Sequence, residues 1–329
     1  MKTLEEAELC FPQLLNSSCR KTMRPHSLSM LTYILMSSIS LFTVTLNLLV
    51  IISISHFRQL HTPTNLLLLS LAVSDFFVGF LMFFNILLID GCWLFGDLMC
   101  TLSVYLAYLI TSASIGTMVL ISVDRYVAIC EPLHYANKVT QKRVQVCICL
   151  CWICSALLHS LLLMNNLEQP GRYNSCLGEC VVVINYIAGL ADLFFSFIGP
   201  VTVIIVLYMR VFVVAVTQAR AMRSHIAALP LKCSVTVTAN KSEMKAARNL
   251  GVIVVVFLLC ICPFYFVSLT GQDTLSNVSS VAFVICLFYF NSCLNPVMYA
   301  FFYLWFRKSI KLIVTLKILQ PGSYAANMM

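Results

Sequence analysis

A carboxylate, Asp192, lies about 11 residues into an apolar run at 181–209, which at ~1.5 Å of rise per residue puts it roughly 15 Å from the start of a helix. Between Arg143 and Arg210 the only lysine or arginine is Arg172, outside the apolar runs, so neither the fourth nor the fifth run neutralises this acid from its own face. Lining a cavity, Asp192 would give a protonated amine a charge-assisted hydrogen bond in a partly dry site. The alternative is a protonated structural acid bonded to Ser196, one helical turn further on. His159, near the end of the fourth run, reads as a packing or interface residue. Two more charges need partners. Asp75 lies near the middle of the second run, where a charge costs roughly 2.5–3.5 kcal/mol even on a lenient insertion scale. Arg125 ends the third run beside Asp124, with Glu243 before the sixth able to supply a second acid; a switchable pair and a permanent structural ion pair both fit.

Seven apolar stretches must position these groups, at about 28–55, 64–89, 100–123, 145–165, 181–209, 249–271 and 279–304. Each has the length, about 20 residues, that crosses hydrocarbon as a helix. Hydrophobic residues make up 60% and charged residues 10% of the 329, with a mean hydropathy of +0.92. A soluble domain carries roughly a quarter charged residues. The fold class expected is an all-α membrane protein, a seven-transmembrane helix bundle in which Pro200, Pro263 and Pro296 kink their helices.

Basic residues gather in alternate connections: Arg58 and His61, then Lys138, Lys142 and Arg143, then Arg220 to Arg248, then Arg307 to Lys317. The other connections carry Asp90, Asp97, Glu168, Glu179 and Asp273. The positive-inside rule then places the N-terminus outside a plasma membrane and the C-terminus in the cytosol. The net charge of +8 sits mostly on that inner surface, which suits anionic lipid and an acidic partner protein. It is too dispersed for nucleic acid. Residues 1–27 form the outer segment, 28–304 the bundle, 305–316 an amphipathic eighth helix and 317–329 a cytoplasmic tail. Trp305, Phe306, Ile310, Ile313 and Leu316 give that helix its apolar side. The first helix would serve as signal anchor, and glycosylation sequons at Asn16 and Asn277 fall on the outer side.

Sixteen cysteines divide by location. Cys10, Cys19, Cys92, Cys100, Cys176 and Cys180 lie outside, where fifteen pairings are possible and spacing does not choose among them. The rest read as small packing residues, and with almost no histidine in the helices no metal centre of the Cys/His type is expected. No cysteine follows Cys293, which argues against a palmitoyl anchor beside the eighth helix.

The set Asn47, Leu71-Ala72-Val73-Ser74-Asp75, Cys100, Asp124-Arg125-Tyr126, Trp152, Pro200, Tyr208, Phe257, Pro263 and Asn295-Pro296-Val297-Met298-Tyr299 resembles the rhodopsin-like G-protein-coupled receptors across all seven runs. The stretch Asn291 to Phe306, with Tyr303 and Trp305-Phe306 at its end, is similar to the seventh-helix fingerprint of the trace amine-associated receptors. That resemblance implies a receptor for amines that couples to a heterotrimeric, stimulatory G protein, raises cyclic AMP and works in olfactory neurons and their cilia; a non-olfactory monoamine receptor is the alternative. It makes Asp124, Arg125, Tyr126, Leu133, Glu243, Tyr208 and Tyr299 the coupling residues, with Leu133 an apolar knob for the G protein. Ile115, Pro200 and Phe257 match the family's packing triad. Asp75, Asn47, Ser114, Asn291, Ser292 and Asn295 match its site for Na+, and a purely structural polar network is an equal reading of the same oxygens. No other cofactor is implied.

Two departures from the family pattern stand out. Seven residues after Cys100, where most aminergic receptors carry an aspartate, this chain has Ala107, and no acid lies between Asp97 and Asp124. The pattern resembles the trace amine-associated receptors, abundant in fish, whose amine-binding acid has moved to helix five. The amine would then lie inverted, its cation on Asp192, with Tyr289, Tyr108, Thr111, Phe264, Tyr265 and Ser268 around the rest, although each of these also reads as ordinary packing. Two residues before Pro263, Ile261 replaces the usual tryptophan, so any rotamer switch there must differ. The resemblance further implies a Cys100–Cys180 bridge and a Cys10–Cys176 bridge, leaving Cys19 with Cys92.

Other membrane classes fit poorly. A retinal protein needs a lysine in the bundle, and no helix core has one. A transporter would show internal repeats and paired broken helices. An enzyme needs a second catalytic group near Asp192 or Asp75, and none is visible.

Overall fold

A computed structural model describes residues 8–14, 16–21, 26–87, 91–226, 249, 251–267 and 278–328. In hydrocarbon every backbone N–H must find its acceptor within the segment, and the apolar runs accordingly form helices. These are α1 (His26–His56), α2 (Pro63–Leu87), α3 (Gly96–Cys130), α4 (Gln141–Leu162), α5 (Tyr186–Leu193 continuing through Phe194–Ile198 and Gly199–Ile226), α6 (Gly251–Val267), α7 (Val278–Phe302) and α8 (Leu304–Val314). Among the described residues six helices are long and apolar enough to cross a membrane, and α6 is a shorter apolar one. The seven-helix bundle expected from the sequence is the fold.

α3 packs against α2, α4 and α5, while α1 packs against α2 and α7. The main core joins Val50, Ile54, Leu68, Leu71, Ile115, Met118, Ile121, Ile204, Ile253, Phe257, Ile261 and Tyr299. These come from the half of the bundle nearer Arg125. On the outward faces Leu41, Phe42, Leu157, Phe212 and Leu259 are exposed, as a surface that meets lipid requires. α3 and α4 approach closely because Gly116 has no side chain: a Cβ there would stand 2.4 Å from Cys151 Sγ.

α5 departs from the simple kink expected at Pro200. Proline lacks an N–H and its ring crowds the carbonyl four residues back. Here the chain widens into one π-helical turn, Phe194–Ile198, in which the Gly199 N–H reaches back five residues to the Phe194 carbonyl. Such turns recur at functional sites, and this one begins two residues after Asp192.

At one end of the bundle three disulfides tie the N-terminal segment and the α4–α5 connection to the helices. Cys100–Cys180 is as the family implies. The other two correct the expectation, because Cys10 joins Cys92 and Cys19 joins Cys176. The backbone accounts for this: Cys10 N donates to Cys19 O, Cys19 N to Leu177 O and Leu177 N to Ser17 O. Leu9 thus pairs antiparallel with Arg20 while Ser18 runs along Leu177, leaving Cys19 next to Cys176 and Cys10 facing the α2–α3 connection. Gly178 permits the contact, with φ +98° and Cys10 Cβ 3.0 Å from where its own Cβ would be. Ser175 donates to Glu179 Oε2 through its hydroxyl and its amide, both at 2.6 Å, and holds that carboxyl below the usual glutamate range.

At the opposite end α8 stops at Val314, two residues short of the expected boundary, and Leu316 takes a left-handed conformation with φ +56°. Phe306 is buried against Tyr299, whereas Leu316 is exposed and does not extend the apolar side. The chain then folds back. Ser323 Oγ lies 2.9 Å from His56 Nε2, Arg58 sits 4.8 Å over the Tyr324 ring, and Met328 is buried on Phe57 and Leu60.

Candidate functional site

Asp192 is not alone. His159 of α4 points its Nε2 at Asp192 Oδ1 across 3.1 Å, and Ser196 donates to the same oxygen at 2.8 Å. The imidazole is 1% exposed and the Asp192 side chain 12%. The other imidazole nitrogen, Nδ1, stands 2.7 Å from the Ser155 carbonyl. The Ser196 bond is the one named in the alternative reading of Asp192, while the His159 contact corrects the reading of that histidine as a packing or interface residue and of Asp192 as an acid that nothing on α4 could neutralise. The sequence signal was present, a histidine near the same end of the neighbouring helix, but it requires counting histidine among the possible donors. Oδ2 accepts no hydrogen bond among the described residues. Tyr108 of α3 lies tilted against the His159 ring, with the ring centres 5.7 Å apart.

A chain of aromatic contacts runs across α5, α6 and α7. Tyr265 of α6 stacks flat on Phe197 of α5 at 3.8 Å, Phe264 leans on Phe288 at 4.7 Å, and Phe288 meets Tyr289 edge-on at 5.5 Å. Tyr289 belongs to a second group: its hydroxyl takes a hydrogen bond from Asn85 Nδ2 at 3.0 Å, and it packs with Met36, Met82 and Ile86. No hydrogen bond or ring contact joins it to Asp192 or His159. Ala107 and Thr111 are half-buried on α3. Ser268 lies outside the described residues. A cleft of about 490 Å³ between α3, α4 and α5 extends from Ser196 and Ser155 past Ser112 to Pro200.

Deeper in the bundle Asp75 is fully buried, and Asn295 Nδ2 donates to its Oδ2 at 2.7 Å. Asn47 Nδ2 bonds the carbonyls of Thr43 and Ser292. Four oxygens remain without a partner: Asp75 Oδ1, Asn47 Oδ1, Asn291 Oδ1 and Asn295 Oδ1. Buried acceptors are ordinarily paired, and these four could be satisfied by water or by a cation. All are hard oxygen donors, the type that suits Na+, and Ser114 is buried on α3.

At the other end Arg125 lies against Asp124, with Nε 3.0 Å from Oδ2 and Nη2 closer still. Its Nη2 also donates to Thr64 Oγ1 at 2.8 Å, Thr64 donates to Asp124 Oδ2, and Tyr135 donates to Asp124 Oδ1 at 2.9 Å. Thr64 and Tyr135 were not foreseen, since neither carries a charge. Glu243 lies outside the described residues. The hydroxyls of Tyr208, Tyr299 and Tyr303 are buried without hydrogen bonds. Tyr126 packs beside Ile129 and Val211, and Leu133 is 91% exposed. Ile115, Phe257 and Ile261 are buried in the main core, while Pro200 is half-buried. Asn277 is outside the described residues and Asn16 is exposed.

The profile of the family described as 7 transmembrane receptor (rhodopsin family) matches residues 46–299. Zebrafish (Danio rerio) trace amine-associated receptor 13c is 36% identical, over 98% of this chain and 97% of its own length. Mouse (Mus musculus) trace amine-associated receptor 4 is 35% identical over 98% and 96%, and macaque (Macaca mulatta) trace amine-associated receptor 1 is 35% identical over 94% and 95%. These relatives are receptors, not enzymes. With their seven-helix architecture in place, the chain belongs to the rhodopsin family of seven-transmembrane receptors and, within it, to the trace amine-associated receptors.

Proposed function

We propose that this receptor detects amines by holding the ligand's ammonium on Asp192 and signals through a stimulatory heterotrimeric G protein to raise cyclic AMP, in olfactory cilia. The observation that carries the reading is a part-buried carboxylate whose Oδ2 accepts no hydrogen bond among the described residues, joined through His159 to the Tyr108 ring of α3. A charge-assisted hydrogen bond there is about twice as strong as a neutral one. Tyr108, Tyr265, Phe264 and Thr111 would hold the remainder of the molecule, with cation–π attraction of about 0.5–2 kcal/mol from a ring under the ammonium. Tyr289, tied to Asn85, would contact only the far end of a longer ligand.

The disulfide end is read as extracellular, with residues 1–27 and the α4–α5 connection as its lid and Asn16 as a glycan site. The Arg125 end is read as cytosolic, with 305–316 on the inner leaflet and 317–329 beyond it. There the Arg125–Asp124–Thr64–Tyr135 network would keep Arg125 from the G protein until the helices part, and Leu133 would enter the partner's surface. Na+ on Asp75, Asn47, Asn291 and Asn295 would stabilise the closed arrangement by satisfying the open oxygens.

Amines screened in cells carrying a cyclic AMP reporter test this, with Asp192→Asn and Asp192→Glu alongside. The Asn variant should lose the response by about 100-fold or more in potency, in keeping with ~3 kcal/mol for a desolvated charge pair. The Glu variant should keep part of it. A full response from the Asn variant would remove Asp192 from the site.

A further inference from the structure

Resting on that reading, we propose that Asp192 and His159 form a pair holding one shared proton, and that the ligand's ammonium takes the place of this proton. His159 is then a specificity-determining residue that selects primary over tertiary amines and makes binding pH-dependent.

A carbonyl oxygen only accepts, so the 2.7 Å contact with the Ser155 carbonyl fixes a proton on His159 Nδ1. Nε2 is left to face Asp192 Oδ1 at 3.1 Å. Were Nε2 bare and Asp192 ionised, a lone pair would oppose a carboxylate oxygen in a nearly dry place, with a hydrogen bond missing on both sides. One proton therefore lies between them, as imidazolium with carboxylate or as imidazole with carboxylic acid. In both forms the pair has no net charge. The groups facing it are Ser155 from α4, Ser196 from α5, Tyr108 from α3 and Tyr265 from α6. Among the described residues no lysine, arginine or second carboxylate pairs with either member.

A cation gains little from a neutral pair, and an adjacent imidazolium would repel it. Displacement resolves this. The ammonium R–NH3+ enters, the shared proton leaves to water, and His159 remains neutral with its Nδ1 proton on Ser155. Charge balances, since a neutral pair and a cation become a neutral complex and a released proton. A primary ammonium has three N–H bonds. It can donate to the carboxylate and to the Nε2 lone pair together, replacing the proton as the donor between them. A tertiary ammonium has one N–H and leaves one acceptor unmatched.

The sign follows from the exchange. Where the pair keeps its proton, apparent affinity rises tenfold for each unit of pH, and it levels off where the proton is already lost. A primary alkylammonium stays charged to about pH 9, so between about pH 5.5 and 8.5 the change belongs to the receptor.

The test uses the full chain in lipid nanodiscs, titrated with n-pentylamine and with N,N-dimethylpentylamine and followed by thermal stabilisation across that pH range. For the native protein the pentylamine midpoint should fall close to tenfold per unit at the acid end, and pentylamine should bind at least tenfold tighter than its dimethyl analogue. His159→Gln keeps an N–H for Asp192 but cannot titrate; its midpoint should vary less than about threefold and its preference for the primary amine should shrink. His159→Asn serves as a second such variant. A flat native profile, or a variant that keeps the native slope, overturns the inference. Asp192→Asn separates the two levels: if it still binds pentylamine, the assignment of the ammonium to Asp192 fails as well. If it does not and the Gln variant retains the native slope, only the role of His159 fails.

Discussion

Exchanging cysteines two at a time discriminates between the two ways of stapling the N-terminal segment. With bridges at Cys10–Cys92 and Cys19–Cys176, replacing Cys10 and Cys92 by serine removes one bridge, as does replacing Cys19 and Cys176. Replacing Cys10 with Cys176, or Cys19 with Cys92, removes both. The pairing implied by family resemblance inverts this order. Cys10 and Cys92 are 82 residues apart, but α1 and α2 remain helical in the bilayer when the lid opens. The chain freed is then only the stretches before α1 and after α2, roughly 20 residues, whose closure is worth ~3 kcal/mol. Both loops run through the same N-terminal segment, so losing both bridges costs less than the sum, ~5 kcal/mol.

For the purified receptor, ~3 kcal/mol lowers the melting midpoint by about 5–10 °C, and loss of both bridges lowers it further. Trp93 supplies the signal. It is 2% exposed, its amide donates to the Gly178 carbonyl at 2.7 Å and its indole to Gly96 at 2.7 Å, between Phe84 and Phe95. Its fluorescence should therefore shift when the lid lifts. If the Cys10→Ser, Cys176→Ser protein melts above the Cys10→Ser, Cys92→Ser protein, the observed connectivity and the backbone reasoning behind it are both refuted.

Gly116→Ala should lower the melting midpoint, at a cost of about 1–3 kcal/mol for overpacking, because the new Cβ meets Cys151 Sγ at 2.4 Å. Adding Cys151→Ala should restore most of the loss, since the Cys151 Cβ is 4.0 Å away; no rescue would mean that α3 and α4 are held apart by something else. Tyr135→Phe removes the hydroxyl that donates to Asp124 Oδ1 at 2.9 Å, a bond to a charged group worth ~1.5 kcal/mol. On the proposed coupling, basal cyclic AMP should rise several-fold, whereas a lower melting midpoint with unchanged basal signal would make the network purely structural.

How far one sequence reaches is set by where each partner comes from. The helices follow from run length alone, because hydrocarbon admits few other backbones. Asp75, Asp192 and Arg125 stand out for the same reason, each being a charge in or beside an apolar run. Their partners come from other helices: His159 is 33 residues from Asp192, Thr64 is 61 from Arg125, and Asn85 is 204 from Tyr289. Periodicity along a single helix carries no information about such pairs. Asn295 was expected near Asp75 only through family resemblance, and Thr64 and Asn85 had no comparable signal. The π-helical turn is hidden for a related reason, since Pro200 guarantees a missing N–H but not whether the chain kinks or widens around it. His159 is the instructive case. Counting only lysine and arginine asks which residues carry a permanent charge, but a carboxylate in a dry site needs only to share a proton, and an imidazole whose Nδ1 is held by its own backbone can share one through Nε2, as imidazolium beside carboxylate or imidazole beside carboxylic acid. On the proposed reading, an amine held on Asp192 meets a site already neutral, and its binding energy is reckoned against the proton it displaces rather than against an empty carboxylate.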